Sequence, residues 1–367
     1  MTDLHFASAI ELATKIKRRE ISAVELLDHY LDRVEKFNPR LNAIIWMDVD
    51  GARARARSAD DALAKGDDWG PLHGVPMTVK EAFNLAGSPT TWGKPEMQDN
   101  IPTSNSVVVD RFLSAGAIIF GKTNVPIDLA DWQSFNEFYG TTNNPWDIKL
   151  TPGGSSGGSA AALAAGMTGL EAGRDIGASI RNPAHYCGVF GHKPTLGIVP
   201  GDGHALPGIF KQADISVVGP LARSAEDLAL ALDILSGPDR FDAASWRLEL
   251  PSSRKSTLKD FRVAVMLSSP EAEVDLAYQN CLQGVVDRLA ELGATISDKA
   301  RPAVDTARAF EVYITLLRAA TSRRSSEAEL EYFAQVLADA KVDDSTYLAR
   351  MARGVRMPHR EWLDWEN

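Results

Sequence analysis

Cysteine is scarce in this chain: Cys187 and Cys281 are the only two in 367 residues. Two cysteines build no disulfide framework in a protein of this size, so a small cross-linked scaffold is excluded. Positive charge is also in deficit, with 39 Lys+Arg against 49 Asp+Glu and a net charge of −10. Nucleic-acid and anionic-membrane surfaces need basic patches, so neither partner is expected. No run approaches twenty apolar residues, which excludes an ordinary spanning helix. The opening MTDLHFASAI lacks a basic stretch followed by an apolar one, so no signal peptide is read and a cytoplasmic location is expected. Histidines are few, and none has the H-E-x-x-H spacing of a zinc site. His73, His185, His192 and His204 read as structural hydrogen-bonding groups; no metal and no cofactor are expected.

What is present is ordinary for a globular protein: 44% hydrophobic and 24% charged residues. The length permits a large core, and by itself allows two domains. Helices are predicted over 7–19 and 22–36, the second with Ser22 as N-cap, Glu25 three residues on, and Asn38-Pro39 as its stop. A helix over 51–65 carries Arg53, Arg55, Arg57, Asp60 and Asp61 on what reads as a solvated face. Leu72–Val79 opens an α/β core. Ser106–Ala115 reads as a helix ended by Gly116, with a short buried strand over Ala117–Phe120. Ile215–Val218 is a strand and Ser224–Ser236 a helix. Phe261–Leu267, Glu273–Leu292 and Ala294–Ile296 form a strand, a helix and a strand. From Thr306 to Glu366 the pattern is helical and charged. No repeat, low-complexity tract or linker interrupts it. Strands alternating with helices point to an α/β fold.

Two glycine turns stand out. Gly153–Ser159 reads GGSSGGS and runs straight into the alanine-rich Ala160–Ala165, and Gly177-Ala178-Ser179 follows. Glycine tolerates positive φ and lets backbone amides approach a reacting atom; a helix starting after such a loop aims its positive end at the same space. A P-loop would need a lysine after the last glycine, and a dinucleotide fingerprint the G-x-G-x-x-G spacing; neither is present. The serines are the better clue, but a nucleophilic serine needs a base, and the sequence around Ser179 is not the G-x-S-x-G elbow. Upstream, Gly74–Lys80 is an apolar run that delivers one lysine to its end. Alone, Lys80 would read as a solvated lysine at a strand terminus; desolvated, it can lose its charge and act as a base.

GVPMTVKEAF around Lys80, GGSSGGSAAALAAG and GRDIGASIRNPA together resemble the amidase signature family of Ser-cisSer-Lys hydrolases. The likeness runs on through Cys187–Thr195 and Gly219–Ser224, and upstream through Gly121–Pro126. It is carried well by about residues 70–240. The resemblance implies an α/β amidase-signature fold, a mixed central β-sheet covered by helices on both faces, in a single domain over 1–367. Family members continue well beyond this point, so the C-terminal end of the domain reads as missing. An uncovered sheet edge there would favour a homo-oligomer.

The resemblance also assigns roles. Ser179 would be the acylated nucleophile. Ser155, preceded by a cis peptide bond after Gly154, would bridge it to Lys80 as the base. Ile176, Gly177, Ala178 and Ser179 match the backbone oxyanion hole, and Leu129 matches a position lining the substrate pocket. Asp175 and Arg181 are expected to pair and brace the turn; alternatively Arg181 meets a substrate carboxylate. Two positions depart from the family: Arg174 stands where serine or threonine is usual, and Ala178 where glycine is. An alanine there still supplies its N–H but disfavours positive φ.

The activity implied is a serine amidohydrolase that splits a small-molecule amide into acid and amine without a cofactor. Carbamate or ester cleavage needs the same parts. The glutamine-hydrolysing subunit of a tRNA amidotransferase is a different class that also resembles this chain; the stop at Asn367 and GHKPT in place of GLKPT count against it. A truncated, non-catalytic relative is a further alternative.

Overall fold

The structure, a computed structural model, describes residues 4–209, 215–341 and 344–366. They fall into two compact units, Met1–Glu249 and Leu250–Asn367.

The first unit opens with α1 (Ala9–Lys17) and α2 (Ala23–Leu41). Leu12, Ala13 and Ile16 of α1, and Leu26, Leu27, Tyr30 and Val34 of α2, are buried at helical spacing. Ser22 and Glu25 complete a capping box at the start of α2. The expectation that Asn38-Pro39 ends this helix is corrected. The helix runs on to Leu41 with Pro39 in its last turn, and Asn42, left-handed at φ 49, ends it. So close to the C-terminus a proline forfeits one backbone bond without breaking the helix.

β1 (Ile44–Met47) leads to α3 (Val49–Ala64), which buries a stripe of alanines, Ala52, Ala56, Ala59 and Ala62. Its charged face is solvated only in part. Arg57 and Asp61 are exposed. Arg53 instead pairs with Asp28 at 2.8 Å, Arg55 donates to the Leu113 and Ala117 carbonyls, and Asp60 accepts from the Ala23 amide at 2.7 Å.

β2 (Pro76–Lys80), α4 (Val107–Ser114) and β3 (Ile118–Thr123) follow, with Ser106 capping α4. β3 lies between β1, antiparallel to it, and β2, parallel to it. A small antiparallel pair, β4 (Phe135–Asn136) and β5 (Gly140–Thr141), precedes α5 (Gly157–Ala164). Then come β6 (Glu171–Asp175), α6 (Arg181–Cys187), β7 (Phe190–Gly191), β8 (Val217–Ala222) and α7 (Ala225–Leu235). β8 pairs antiparallel with both β6 and β7. β6 packs beside β2, and side chains cross the seam: Thr168 Oγ1 accepts from the Thr78 amide at 2.9 Å, and Thr78 Oγ1 donates to the Glu171 carboxylate group. Burial pushes the Glu171 carboxyl up to about 8.

Every residue of β2, β3, β6 and β8 is buried; β2, β3 and β8 are accordingly mostly apolar without alternation, whereas β6 carries Glu171, Arg174 and Asp175 and was not legible as a strand. Helices α2, α3, α5 and α7 pack on them. The α/β class read from the sequence is the class observed. α5 is buried from Gly157 to Leu163, so its whole circumference meets protein. At Gly158 a Cβ would stand 2.4 Å from the Asn124 nitrogen, 2.6 Å from the Asn124 oxygen and 2.8 Å from the Ala43 oxygen, all backbone. Gly158→Ala is therefore expected to destabilise by about 1–3 kcal/mol despite the better helix former. A lower denaturant midpoint at unchanged m-value checks this; an unchanged midpoint would show that these backbones can yield.

The second unit contains β9 (Arg262–Ala264), α8 (Leu276–Glu291) and β10 (Thr295–Ser297), with β9 and β10 parallel. Four helices follow: α9 (Thr306–Thr321), α10 (Glu327–Asp339), α11 (Tyr347–Val355) and α12 (His359–Glu366). α11 approaches α9 closely through small residues; a Cβ on Gly354 would fall 2.5 Å from the Thr315 carbonyl. Asn367, where the sequence reading placed the chain's stop, lies outside the described residues. No helix among the described residues is long and apolar enough to cross a membrane.

Candidate active site

Three segments of the first unit converge here: the end of β2, the glycine loop entering α5, and the turn from β6 to α6. Lys80 is the last residue of β2, an apolar strand buried throughout, and its side chain is wholly enclosed. Its Nζ lies 2.6 Å from Ser155 Oγ and 3.1 Å from Ser156 Oγ. Burial first, and then the Arg174 charge, push the lysine down to about 7, against the pull of Asp175, Glu81 and Glu171. Ser156 was not singled out in the sequence. Its adjacency to Ser155 was visible there, but which hydroxyl faces Lys80 depends on the backbone path.

The Gly154–Ser155 peptide bond is cis. Gly154 permits close approach: a Cβ there would stand 2.5 Å from the Asp131 carbonyl oxygen. Ser134 grips the same loop, its hydroxyl donating to the Gly153 carbonyl and accepting from the Gly157 amide, both at 3.1 Å. The second turn is tied to the first. The Ser156 amide donates to the Ser179 carbonyl at 3.1 Å, and Asn182 Oδ1 accepts from the Gly154 amide at 3.2 Å. Ser134 and Asn182 are further residues that the sequence reading missed, since each acts on a loop distant in the chain.

Ser179 is 6% exposed, with little access from solvent. Asp175, fully buried at the end of β6, organises its turn. Oδ1 accepts from the Ala178 amide at 3.0 Å, and Oδ2 from the Ile180 amide at 3.0 Å. Arg181 adds Nε to Oδ2 at 3.1 Å and Nη2 to Oδ1 at 2.9 Å, a two-pronged pair. Burial opposes the charge on Asp175, yet the Arg181 and Ile180 hydrogen bonds hold its carboxyl below the ordinary value. Ala178 takes φ 74, the left-handed region. The amide of Ala178 faces Asp175; Ile176 and Gly177 flank it on the same turn.

Arg174 is 9% exposed and turns inward. Its Nε lies 2.5 Å from Ser216 Oγ, and Nη1 reaches both the ring Nδ1 of His204 at 2.9 Å and its carbonyl at 2.8 Å. His204 is thereby a hydrogen-bonding group, as is His73, whose Nδ1 accepts from the Trp69 amide. Leu129 is half-buried at φ 58, in the loop whose Asp131 carbonyl packs on Gly154.

A lysine, two serines and a pair of glycine turns assembled in this order along the chain invite comparison with known proteins. The profile described as Amidase matches residues 25–361. The chain belongs to the amidase family. An acylamidase of Rhodococcus erythropolis is 39% identical over 302 residues, 81% of this chain and 62% of that protein. A glutamyl-tRNA(Gln) amidotransferase subunit of Carboxydothermus hydrogenoformans is 35% identical over 303 residues, 82% of this chain and 62% of that protein. The chain thus spans about three fifths of the length of these relatives. Among solved structures, a fatty acid amide hydrolase superposes with a TM-score of 0.77 at 26% identity, covering 97% of this chain and 59% of that one. A bacterial aryl acylamidase of the amidase signature family gives 0.77 at 25% identity, covering 99% and 75%.

Proposed function

We propose that this amidase-family chain is a serine amidohydrolase that splits a carboxylic amide into acid and amine through an acyl-enzyme on Ser179. The observation that carries the proposal is the buried contact between Lys80 Nζ and Ser155 Oγ, 2.6 Å, with the lysine at about 7. A lysine poised there is substantially neutral near pH 7 and serves as a base. Ser155 passes its proton to Lys80 as it receives the proton of Ser179, whose Oγ attacks the carbonyl carbon. The oxygen of the tetrahedral intermediate is stabilised by backbone amides of the turn. Ala178 N–H is engaged by Asp175, which leaves this duty to Ile176, Gly177 and Ser179. The Lys80 ammonium then returns its proton through Ser155 to the leaving nitrogen as the C–N bond breaks. Water attacks the acyl-enzyme by the same route, releasing the acid and restoring Ser179.

Ser156 gives Lys80 a second oxygen, which keeps the amine aimed as its charge changes. Arg181 spends two donors on Asp175, so its role is to brace the turn rather than to meet a substrate carboxylate. Leu129 lines the pocket beside the first glycine loop. Carbamates and esters fit the same chemistry.

A second reading, the glutamine-hydrolysing subunit of a tRNA amidotransferase, is favoured by the several relatives that carry that description at 34–37% identity. Its mark is activity only with partner subunits. The test is intact-mass analysis with a serine-directed sulfonylating probe, followed by a panel of amides, esters and carbamates. We expect one adduct, mapped to the peptide bearing Ser179, and amide turnover by the isolated chain. Absence of the adduct would overturn the proposal, and an adduct with turnover only beside copurifying partners would favour the second reading.

A further inference from the structure

The peptide unit joining Gly177 to Ala178 is held at both ends. On one side the Ala178 N–H donates to Asp175 Oδ1 at 3.0 Å; on the other the Gly177 carbonyl accepts from the indole Nε1 of Trp132 at 2.8 Å. In a trans peptide the N–H and C=O point in opposite directions, so these two partners clamp one plane from opposite faces of the turn. The clamp acts where it is needed. Ala178 sits at φ 74, a region that a residue with a Cβ disfavours, and rotation of this peptide is the motion by which the turn would relax.

Asp175 was expected to brace the turn; Trp132 was not. Burial does not account for Trp132, which is 53% exposed. A large ring is left half in solvent while its single polar atom is spent on the turn that carries Ser179. Its backbone is anchored too. Thr151 Oγ1 donates to the Trp132 carbonyl at 3.2 Å, and the Asp131 carbonyl packs directly on Gly154. The short segment 131–133 therefore touches both glycine turns at once.

We propose that Trp132 is a positioning residue that locks the Gly177–Ala178 peptide, and with it the amides that meet the developing oxyanion. The proposal rests on the serine amidohydrolase reading above for its catalytic consequence, though not for the clamp itself. Charge develops on the substrate oxygen only as the tetrahedral intermediate forms. Loosening the turn should thus weaken the transition state and leave the bound amide untouched.

Trp132→Phe keeps an aromatic ring and removes the donor. Trp146→Phe is the matched control: its indole Nε1 donates to the Cys187 carbonyl at 2.7 Å, from a ring that is 75% exposed and away from the turn. We expect Trp132→Phe to lower kcat about tenfold, the worth of one hydrogen bond, with KM nearly unchanged. A boronic acid inhibitor, which forms a tetrahedral anionic adduct on serine, should lose affinity by the same factor. The carboxylic acid product should bind as before, and Trp146→Phe should retain kcat and inhibitor affinity. Hydrogen exchange over 176–181, read by mass spectrometry, should quicken in Trp132→Phe and not in Trp146→Phe. That measurement needs no turnover: a wild-type chain without amidase activity would sink the functional reading, while exchange still decides the clamp. Unchanged exchange at this turn overturns the proposal. So does a raised KM at wild-type kcat, which would make Trp132 a substrate wall, and so does an equal loss in both variants.

Discussion

Ser179→Ala is expected to lower amide turnover by about 10³-fold or more, and Lys80→Ala to do the same. The expectation follows from the way the constellation is built rather than from either residue alone. Lys80 is enclosed at the end of a buried strand and meets two serine hydroxyls. The loop bearing those serines is bonded to the Ser179 turn through Ser156 and Asn182. Groups that act as one unit are lost as one unit, so removing the nucleophile or the base costs nearly everything. Ser155→Ala should leave residual activity, because the oxyanion amides and Lys80 remain. Steady-state rates on purified variants, each checked for an unchanged melting temperature, provide the measurement. Near-normal rates in Ser179→Ala would show that the acyl-enzyme forms elsewhere or not at all. Chelators should have no effect on the wild type, since no step of the proposed route uses a metal.

In wild type, kcat/KM is expected to climb with pH and level off above about 7, falling roughly tenfold per pH unit on the acid side. The sign follows from the charge states. The proposed base is the neutral amine of Lys80, so protonation below its pKa would remove the active form. Two effects bring that pKa down from the lysine range: enclosure of the ammonium, then the neighbouring Arg174 guanidinium. Asp175, Glu81 and Glu171 act in the other direction. Arg174 is fixed by Ser216 and His204, so its charge is held in place. Arg174→Ser removes a like charge, makes the protonated lysine less costly, and should move the acid limb to higher pH. At pH 6 the variant is then slower than wild type, while at pH 9 the two converge. A pH profile that does not move would show that Arg174 is screened from Lys80. A limb near the ordinary lysine value of ~10 would mean that Lys80 is hydrated in solution.

The parts of the site that were legible in the sequence are those written in local chemistry. A lysine at the end of an apolar run, serines inside glycine turns, and Ser22 as a helix cap all depend on neighbours within a few residues. So do the helix and strand periods, which misplaced ends such as Pro39 and passed over the short elements β1, β6 and α6, whose few residues carry too little pattern to read. Family resemblance joined Lys80, Ser155 and Ser179 into one proposal, but it was silent on what holds them.

The sequence by itself determined the α/β class and most of the long helices, and it singled out the lysine and serines proposed to react. Apolar period, glycine turns and cap residues specify which segments become helix, strand or loop before any of them meet. Tertiary structure alone decided which polar groups share a space. Asp227 caps α1 by accepting from the Ala9 amide, and Asp60 reaches the Ala23 amide of α2, both across long stretches of chain. Charged residues that looked solvated on α3 became tertiary struts in the same way. Arg174 turned inward, Ser156 joined Ser155 at Lys80, and Trp132 and Asp175 closed on one peptide of the Ser179 turn. A hydrogen bond requires its partners within about 3 Å and in line. Only the packed arrangement of distant segments meets that condition, and no local pattern in the chain records it.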